Sequence, residues 1–196
     1  MTDSPIQLIV GLGNPGAEYE HTRHNVGADF VAELARQHNG TLKFEPKFHG
    51  LTGRINIDGH EVRLLIPTTF MNRSGQAVSA MVTFFKFTTT DILVVHDELD
   101  IETGTARLKR GGGPGGHNGL RDIISSLSNN KDFARLRIGI GHPGAANKVT
   151  GHVLNRAGQE EQLIINATID ESIRVLPDVV TGKWSSAMNR LHSFKG

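Results

Sequence analysis

Two histidines three residues apart, His21 and His24, stand in "EYEHTRHNVG" directly after the glycine-rich turn "VGLGNPG". A neutral imidazole is a base near pH 7, so either could activate water. The pair could instead share a helical face and bind a metal, with Asp97, Glu98 or Asp100 supplying oxygens. The stretch "VVHDELD" ends an apolar run in acidic residues, one of which could orient a histidine, as carboxylates do in hydrolases. There is no H-E-x-x-H, no G-x-S-x-G and no cysteine. Cysteine zinc sites, disulfides and a thiol nucleophile are thereby excluded. A hydrolase working without metal would then use water as nucleophile and histidine as base. Taken alone, each histidine reads as an ordinary polar residue sooner than as a catalytic one.

These residues need elements to carry them. "IQLIV" is a continuous apolar run ending in glycine and reads as a buried strand. From Val26 the apolar residues Phe30, Val31, Leu34 and Ala35 fall at helical spacing, with Asn25 as N-cap. "LTGRINIDGHEVRLLIP" alternates on both sides of Asp58-Gly59, a hairpin signal. "QAVSAMVTFFKF" and "GLRDIISSLS" read as amphipathic helices, "DILVVHD", "TARLKR" and "ARLRIGIG" as strands. After a loop around Pro143–Asn147 two helices are expected, the second starting near Pro177 and running toward Phe194. Strands alternating with helices, plus one hairpin, predict an α/β fold: a single domain over residues 1–196, with a mixed twisted sheet and helices on both faces.

"GLGNPG" formally fits the dinucleotide pattern G-x-G-x-x-G, but Pro15 and "AEYEHTRH" intervene before the helix, and Glu33 falls inside it. The turn more plausibly delivers Asn14 to the C-terminal edge of a strand. "KRGGGPGGHNGLRD" lacks the Lys-Ser/Thr ending of a P-loop, yet it lets a ligand approach backbone closely. Asn118 is placed as the N-cap of the helix that follows, with His117 beside it. Asn72 in "FMNRSG" also precedes a helix.

The chain has 196 residues and a net charge of +1 that hides an asymmetry. Residues 1–106 carry 8 Lys+Arg against 13 Asp+Glu, a net −5, and residues 107–196 carry 13 against 7, a net +6. A polyanion would meet mainly the second half. On totals alone this is no more than scatter in surface charge. "MTDSPIQLIVGLG" lacks the basic start of a signal peptide, and no apolar run is long enough to span a membrane. A cytoplasmic setting is expected.

Four segments together are more specific than any motif alone. "VGLGNPGAEYEHTRHNVG", "PTTFMNRSG", "DELDIETGTARLKRGGGPGGHNGLRDI" and "RLRIGIGHP" resemble, in order and spacing, bacterial-type peptidyl-tRNA hydrolase, across nearly the whole chain. The resemblance implies a metal-free and cofactor-free enzyme, a monomer of one α/β domain. It would cleave the ester between a peptide, or an N-blocked amino acid, and the terminal ribose of tRNA, and so return tRNA to translation. It implies that His24 is the general base and that Asp97 holds its imidazole. Asn14, Asn72 and Asn118 would line the cleft and bind the carbonyl and the attacking water. Met71 and Tyr19 would form cleft walls. His117, Lys109 and Arg137 would hold the tRNA end and its phosphates, and His21 would be a neighbour at the rim. The chemistry is coherent: an oxyanion needs donors, and Asn amides supply N–H groups without adding charge. Two other classes remain, a non-catalytic RNA-binding relative on the same fold and a metal-dependent hydrolase that a chelator would inactivate.

Overall fold

The computed structural model describes residues 5–196. Met1–Ser4, the start of the segment read for a signal peptide, lie outside that range. The described residues form one seven-stranded sheet: β1 (Leu8–Gly11), β2 (Lys43–Glu45), β3 (Gly50–Ile57), β4 (His60–Pro67), β5 (Ile92–Glu98), β6 (Ala106–Arg110) and β7 (Ala134–Gly139). Their order across the sheet is β2-β3-β4-β1-β5-β7-β6. Strands β4, β1, β5 and β7 run parallel. The outer strands β2, β3 and β6 pair antiparallel. The expected mixed sheet is present.

Helices are α1 (Val26–Gln37), α2 (Ser74–Phe85), α3 (Asn118–Ser126), α4 (Val149–Leu154), α5 (Gln159–Val180) and α6 (Trp184–His192). Side chains alternate across a strand, so each buried strand feeds two cores. Ile9, Leu93 and Val95 pack with Phe30 and Leu34 of α1 and with apolar residues of α5 and α6. Leu8, Val10 and Val94 pack on the opposite side with Val78 and Met81 of α2 and Ile123 of α3. The hairpin turns through Asp58 (φ 48°) and Gly59 (φ 84°). Positive φ at both central residues is the type I′ geometry that matches strand twist.

Three expectations are corrected. Pro177 starts no helix. It lies inside α5, near its end, and α6 begins at Trp184. The apolar stripe Ile165, Ile169, Ile173, Leu176 and Val180 is buried straight through the proline. That burial outweighs one missing N–H donor in a last turn. Asn25 occupies the N-cap position of α1 without capping it, because its side chain is committed elsewhere. The N-cap of α3 is His117, not Asn118. The short α4 and the edge strand β2 carry too few residues for a periodicity to show, and the sequence reading missed both.

Candidate active site

The C-terminal edge of the parallel strands carries the site, as in other open α/β sheets. Two glycines set its backbone. A Cβ on Gly27 would run into the carbonyl oxygen of Val95, and one on Gly11 into the carbonyl oxygen of Gly27. Only glycine lets the start of α1 lie this close to β1 and β5. This contact brings His24, just ahead of α1, over the end of β5. Asp97 follows Leu93 and Val95 onto the α1 side of the sheet by alternation, and so meets it.

His24 Nδ1 lies 3.0 and 2.9 Å from the two carboxylate oxygens of Asp97. An ionised carboxylate only accepts, so Nδ1 carries the hydrogen and Nε2 keeps the lone pair. Asp97 is 4% exposed. Burial alone would raise its pKa, but the charges and hydrogen bonds of His24 and His117 outweigh burial and hold it far below the carboxylate range. Burial likewise works against charging His24, and the attraction and hydrogen bond of Asp97 win, leaving its pKa raised above 6.5.

His117 donates from Nε2 to Asp97 Oδ1 at 2.8 Å. Its Nδ1 accepts from the backbone N–H groups of Gly119 (3.1 Å) and Leu120 (3.4 Å). Those two donors fix the tautomer. The ring therefore caps α3 and steadies Asp97 at once, a geometry the glycine-rich loop enables by arriving at the helix start. Sequence reading placed His117 on the tRNA end and missed this second role; the histidine-before-asparagine order at a helix start was the available signal. His96, 1% exposed, donates from Nδ1 to the Asp97 carbonyl at 2.8 Å and packs edge-on against His117. Burial first, then His117 and Arg135, lower its pKa to about 3, so it stays neutral.

Among the described residues, His24, Asp97 and His117 also form a group that could hold a metal. The donor set fits one poorly. His117 Nδ1 is committed to accepting from α3, so Nε2 bears a hydrogen and has no lone pair to give. The pairing of His21 with His24 as ligands also fails. His21 (φ 61°) turns away to Asp29, 3.2 Å distant, and its side chain is 70% exposed.

Asn14 is clamped from three directions. Its backbone N–H donates to Asn25 Oδ1 at 2.8 Å, and its carbonyl accepts from Asn25 Nδ2 at 2.9 Å. Its own Oδ1 accepts the Met71 N–H at 2.7 Å. An N–H can only meet an oxygen here, so the amide orientation is set and Nδ2 remains as a donor. This is what Asn25 does in place of capping α1.

These groups border a cleft of about 380 Å³, within the range of small-molecule sites (roughly 300–1,000 Å³). Asn14, His24, Met71, Asn72, Asp97, His117 and Asn118 all line it. Tyr19 is not among the lining residues. It stands one layer out, edge-on to Phe70 at 6.4 Å, and Phe70 is the aromatic wall. Val149, Thr150, Val153 and Leu154 close the cleft from α4. The sequence reading overlooked Phe70 although it stands beside Met71 and Asn72, and it overlooked the α4 wall with α4 itself.

Lys109 and Arg137 lie off this cleft, in an adjoining cavity of about 250 Å³ that shares Glu98, Leu99 and Gly116 with it. The β6/β7 register sets Arg107 opposite Arg137 and Lys109 opposite Arg135. Directly opposed residues share a face, so four cations stand together. Arg135 is engaged structurally, donating to the carbonyls of Gly111, Gly112, Gly113 and Lys131. Arg137 donates from Nε to Glu98 Oε1 at 3.0 Å. The alternation in "ARLKR" and "ARLRIG" already encodes this face.

A histidine whose tautomer is set by a buried carboxylate, a clamped amide donor and an open cleft are the parts of a hydrolytic enzyme of the α/β class. The family model for peptidyl-tRNA hydrolase matches residues 8–196. The peptidyl-tRNA hydrolase of Vibrio campbellii is 60% identical over 97% of each chain. That of Pseudomonas savastanoi pv. phaseolicola is 60% identical over 97% of this chain and 98% of its own. The crystal structure of the Acinetobacter baumannii peptidyl-tRNA hydrolase superposes with a TM-score of 0.95 at 51% identity, covering 100% of this chain and 98% of that one. The chain belongs to the peptidyl-tRNA hydrolase family, and its reaction is hydrolysis of peptidyl-tRNA.

Proposed function

We propose that His24 is the general base of this hydrolysis, with Asp97 fixing its tautomer and Asn14 stabilising the oxyanion. The observation that carries the reading is the His24 Nδ1 bond to a buried Asp97, which leaves Nε2 as the basic ring nitrogen at the cleft. Nε2 takes a proton from water as the water oxygen attacks the ester carbonyl. The carbonyl oxygen becomes an oxyanion, and Asn14 Nδ2 donates to it. The intermediate then collapses. The carbon–oxygen bond to the ribose breaks, and His24 returns its proton to the ribose oxygen. Asp97 stays ionised and supports the imidazolium between the two transfers.

Asn72 and Asn118, both exposed at the cleft rim, contact the peptide backbone and the attacking water. Met71 and Phe70 receive the side chain next to the ester, with Tyr19 behind Phe70. His117 acts on Asp97 in addition to bordering the terminal nucleotide. Lys109 and Arg137 take tRNA phosphates from the cationic face of β6 and β7. The enzyme works as a monomer of one domain in the cytoplasm. Among the described residues, no helix is long and apolar enough to cross a membrane.

The test is release of tRNA from N-acetylaminoacyl-tRNA by purified protein, with and without a chelator. Release that a chelator leaves unchanged is expected. Loss of release with chelator favours a metal-dependent hydrolase, and binding without release a non-catalytic relative.

A further inference from the structure

Arg23, one residue before His24, reaches away from the cleft, and its side chain is only 13% exposed. Its guanidinium makes a two-point contact with Glu161 of α5, Nε to Oε1 at 2.9 Å and Nη2 to Oε2 at 2.9 Å. The third nitrogen, Nη1, donates to the carbonyl of His152 at 2.9 Å. The Arg23 backbone N–H donates to the carbonyl of Asn155 at 3.0 Å. One residue therefore binds two carbonyls at the C-terminal end of α4.

This matters because α4 has only six residues. A helix so short is held by its surroundings, and its last carbonyls need outside donors. Among the described residues, α4 packs chiefly against the turn Arg23–Asn25 and the turn that leads into it. Next to Arg23, Thr22 forms an isolated antiparallel bridge with Arg156, and Arg156 Nε donates to the Glu20 carbonyl at 2.9 Å. The same helix presents Val149, Thr150, Val153 and Leu154 to the cleft. The wall of the cleft and the turn bearing His24 are thus tied by several contacts, and among these the planar fork of Arg23 is the one that also engages α5. Lysine cannot reproduce this contact, since it offers a point charge where Arg23 offers three directed donors.

We propose that Arg23 is a positioning residue that sets the spacing between His24 and the α4 wall, so that substrate packed on α4 presents its ester to Nε2. It does this through Glu161 and the α4 carbonyls and touches no substrate. The inference rests on His24 being the general base.

The experiment compares Arg23→Gln, Arg23→Lys and Glu161→Gln with wild type and with His24→Ala, using N-acetylaminoacyl-tRNA. Folding is checked by circular dichroism at the assay temperature. Displacement of a base by an ångström costs up to about 10²-fold. Folded Arg23→Gln should lose at least roughly tenfold in kcat, with KM changed much less. Arg23→Lys should recover only part of this loss, and Glu161→Gln, which keeps an acceptor but no charge, should fall between. The His24 Nδ1–H proton resonance should shift in Arg23→Gln and stay put in a merely destabilised control. If the Arg23→Gln variant does not fold, Glu161→Gln and Arg23→Lys carry the same test. Folded variants with kcat within twofold of wild type and an unmoved resonance overturn the proposal. A fully active His24→Ala would instead overturn the assignment of the base.

Discussion

His117 Nε2 and Asp97 Oδ1 are 2.8 Å apart, so the carboxylate that orients His24 is itself held by a second histidine. That histidine cannot turn, because its other nitrogen accepts from the first N–H groups of α3. The start of a helix, an imidazole and a buried carboxylate form one continuous path to His24. His117→Ala removes the bond to Asp97 and the cap on α3. Loss of a helix cap costs about 0.5–2 kcal/mol, and thermal unfolding should show a decrease of that size. Turnover should fall mainly in kcat. If His117 instead serves only to hold tRNA, the same variant raises KM and leaves kcat intact.

Asp97→Asn separates charge from shape. In the wild type, Asp97 raises the pKa of His24, and the proposed mechanism requires the neutral base. The kcat/KM profile should therefore climb through a value above 6.5. Asparagine removes the raising charge while burial still opposes charging, so the acid limb should move to lower pH as kcat drops by about 10²–10⁴-fold. Protonated His24 also stabilises the fold. Because its folded pKa is raised, that contribution is complete below the unfolded value and is lost as pH rises through the folded value. Asp97→Asn should abolish this acid-side contribution. An acid limb that stays in place would show that His24 is not the titrating group.

The clamp on Asn14 makes aspartate, which keeps the clamped oxygen, a more telling substitution than alanine. Asn14→Asp keeps an oxygen for the Met71 N–H, deletes the Nδ2 donor and sets a carboxylate where the oxyanion forms. Removing one oxyanion donor costs about 10²–10³-fold in kcat. A kcat loss of at least that size is the expected result, because the added charge also repels the oxyanion. Full activity in Asn14→Asp would move the oxyanion contact to Asn72 or Asn118.

Lys109 and Arg137 should differ even though they share a face. Lys109 is exposed, and Lys109→Ala should raise KM and reduce the salt slope of kcat/KM by roughly 0.7–0.9. Arg137 is paired with Glu98, which borders the cleft. Arg137→Ala leaves that carboxylate without its cationic partner at the cleft, so kcat should fall as well. Salt titrations of both variants that superimpose on wild type would remove both residues from the phosphate path.

Much of this architecture was legible in the residues. Continuous apolar runs at Ile6–Val10 and Ile92–Val95 marked the central strands, and Asp58-Gly59 marked the hairpin, because each depends on local chemistry. The residues expected at the cleft came from the family resemblance, and His24, Asp97, Asn14, Asn72 and Asn118 all border it. What sequence could not provide was the partner of each polar group. Asn25 and Asn118 look like caps, but whether an amide caps a helix or serves a neighbour is decided by tertiary approach. Here the approach of Asn14 redirects Asn25, and the arrival of His117 displaces Asn118 from the cap. Pro177 misled for a related reason, since the burial of residues on both sides overrides a local preference.

The most direct measurement is single-turnover release of tRNA from N-acetylaminoacyl-tRNA by folded His24→Ala at saturating enzyme. The predicted result is a rate lower by about 10²–10⁴-fold with tRNA affinity retained. Release at the wild-type rate would contradict the role assigned to His24 and the mechanism built on it.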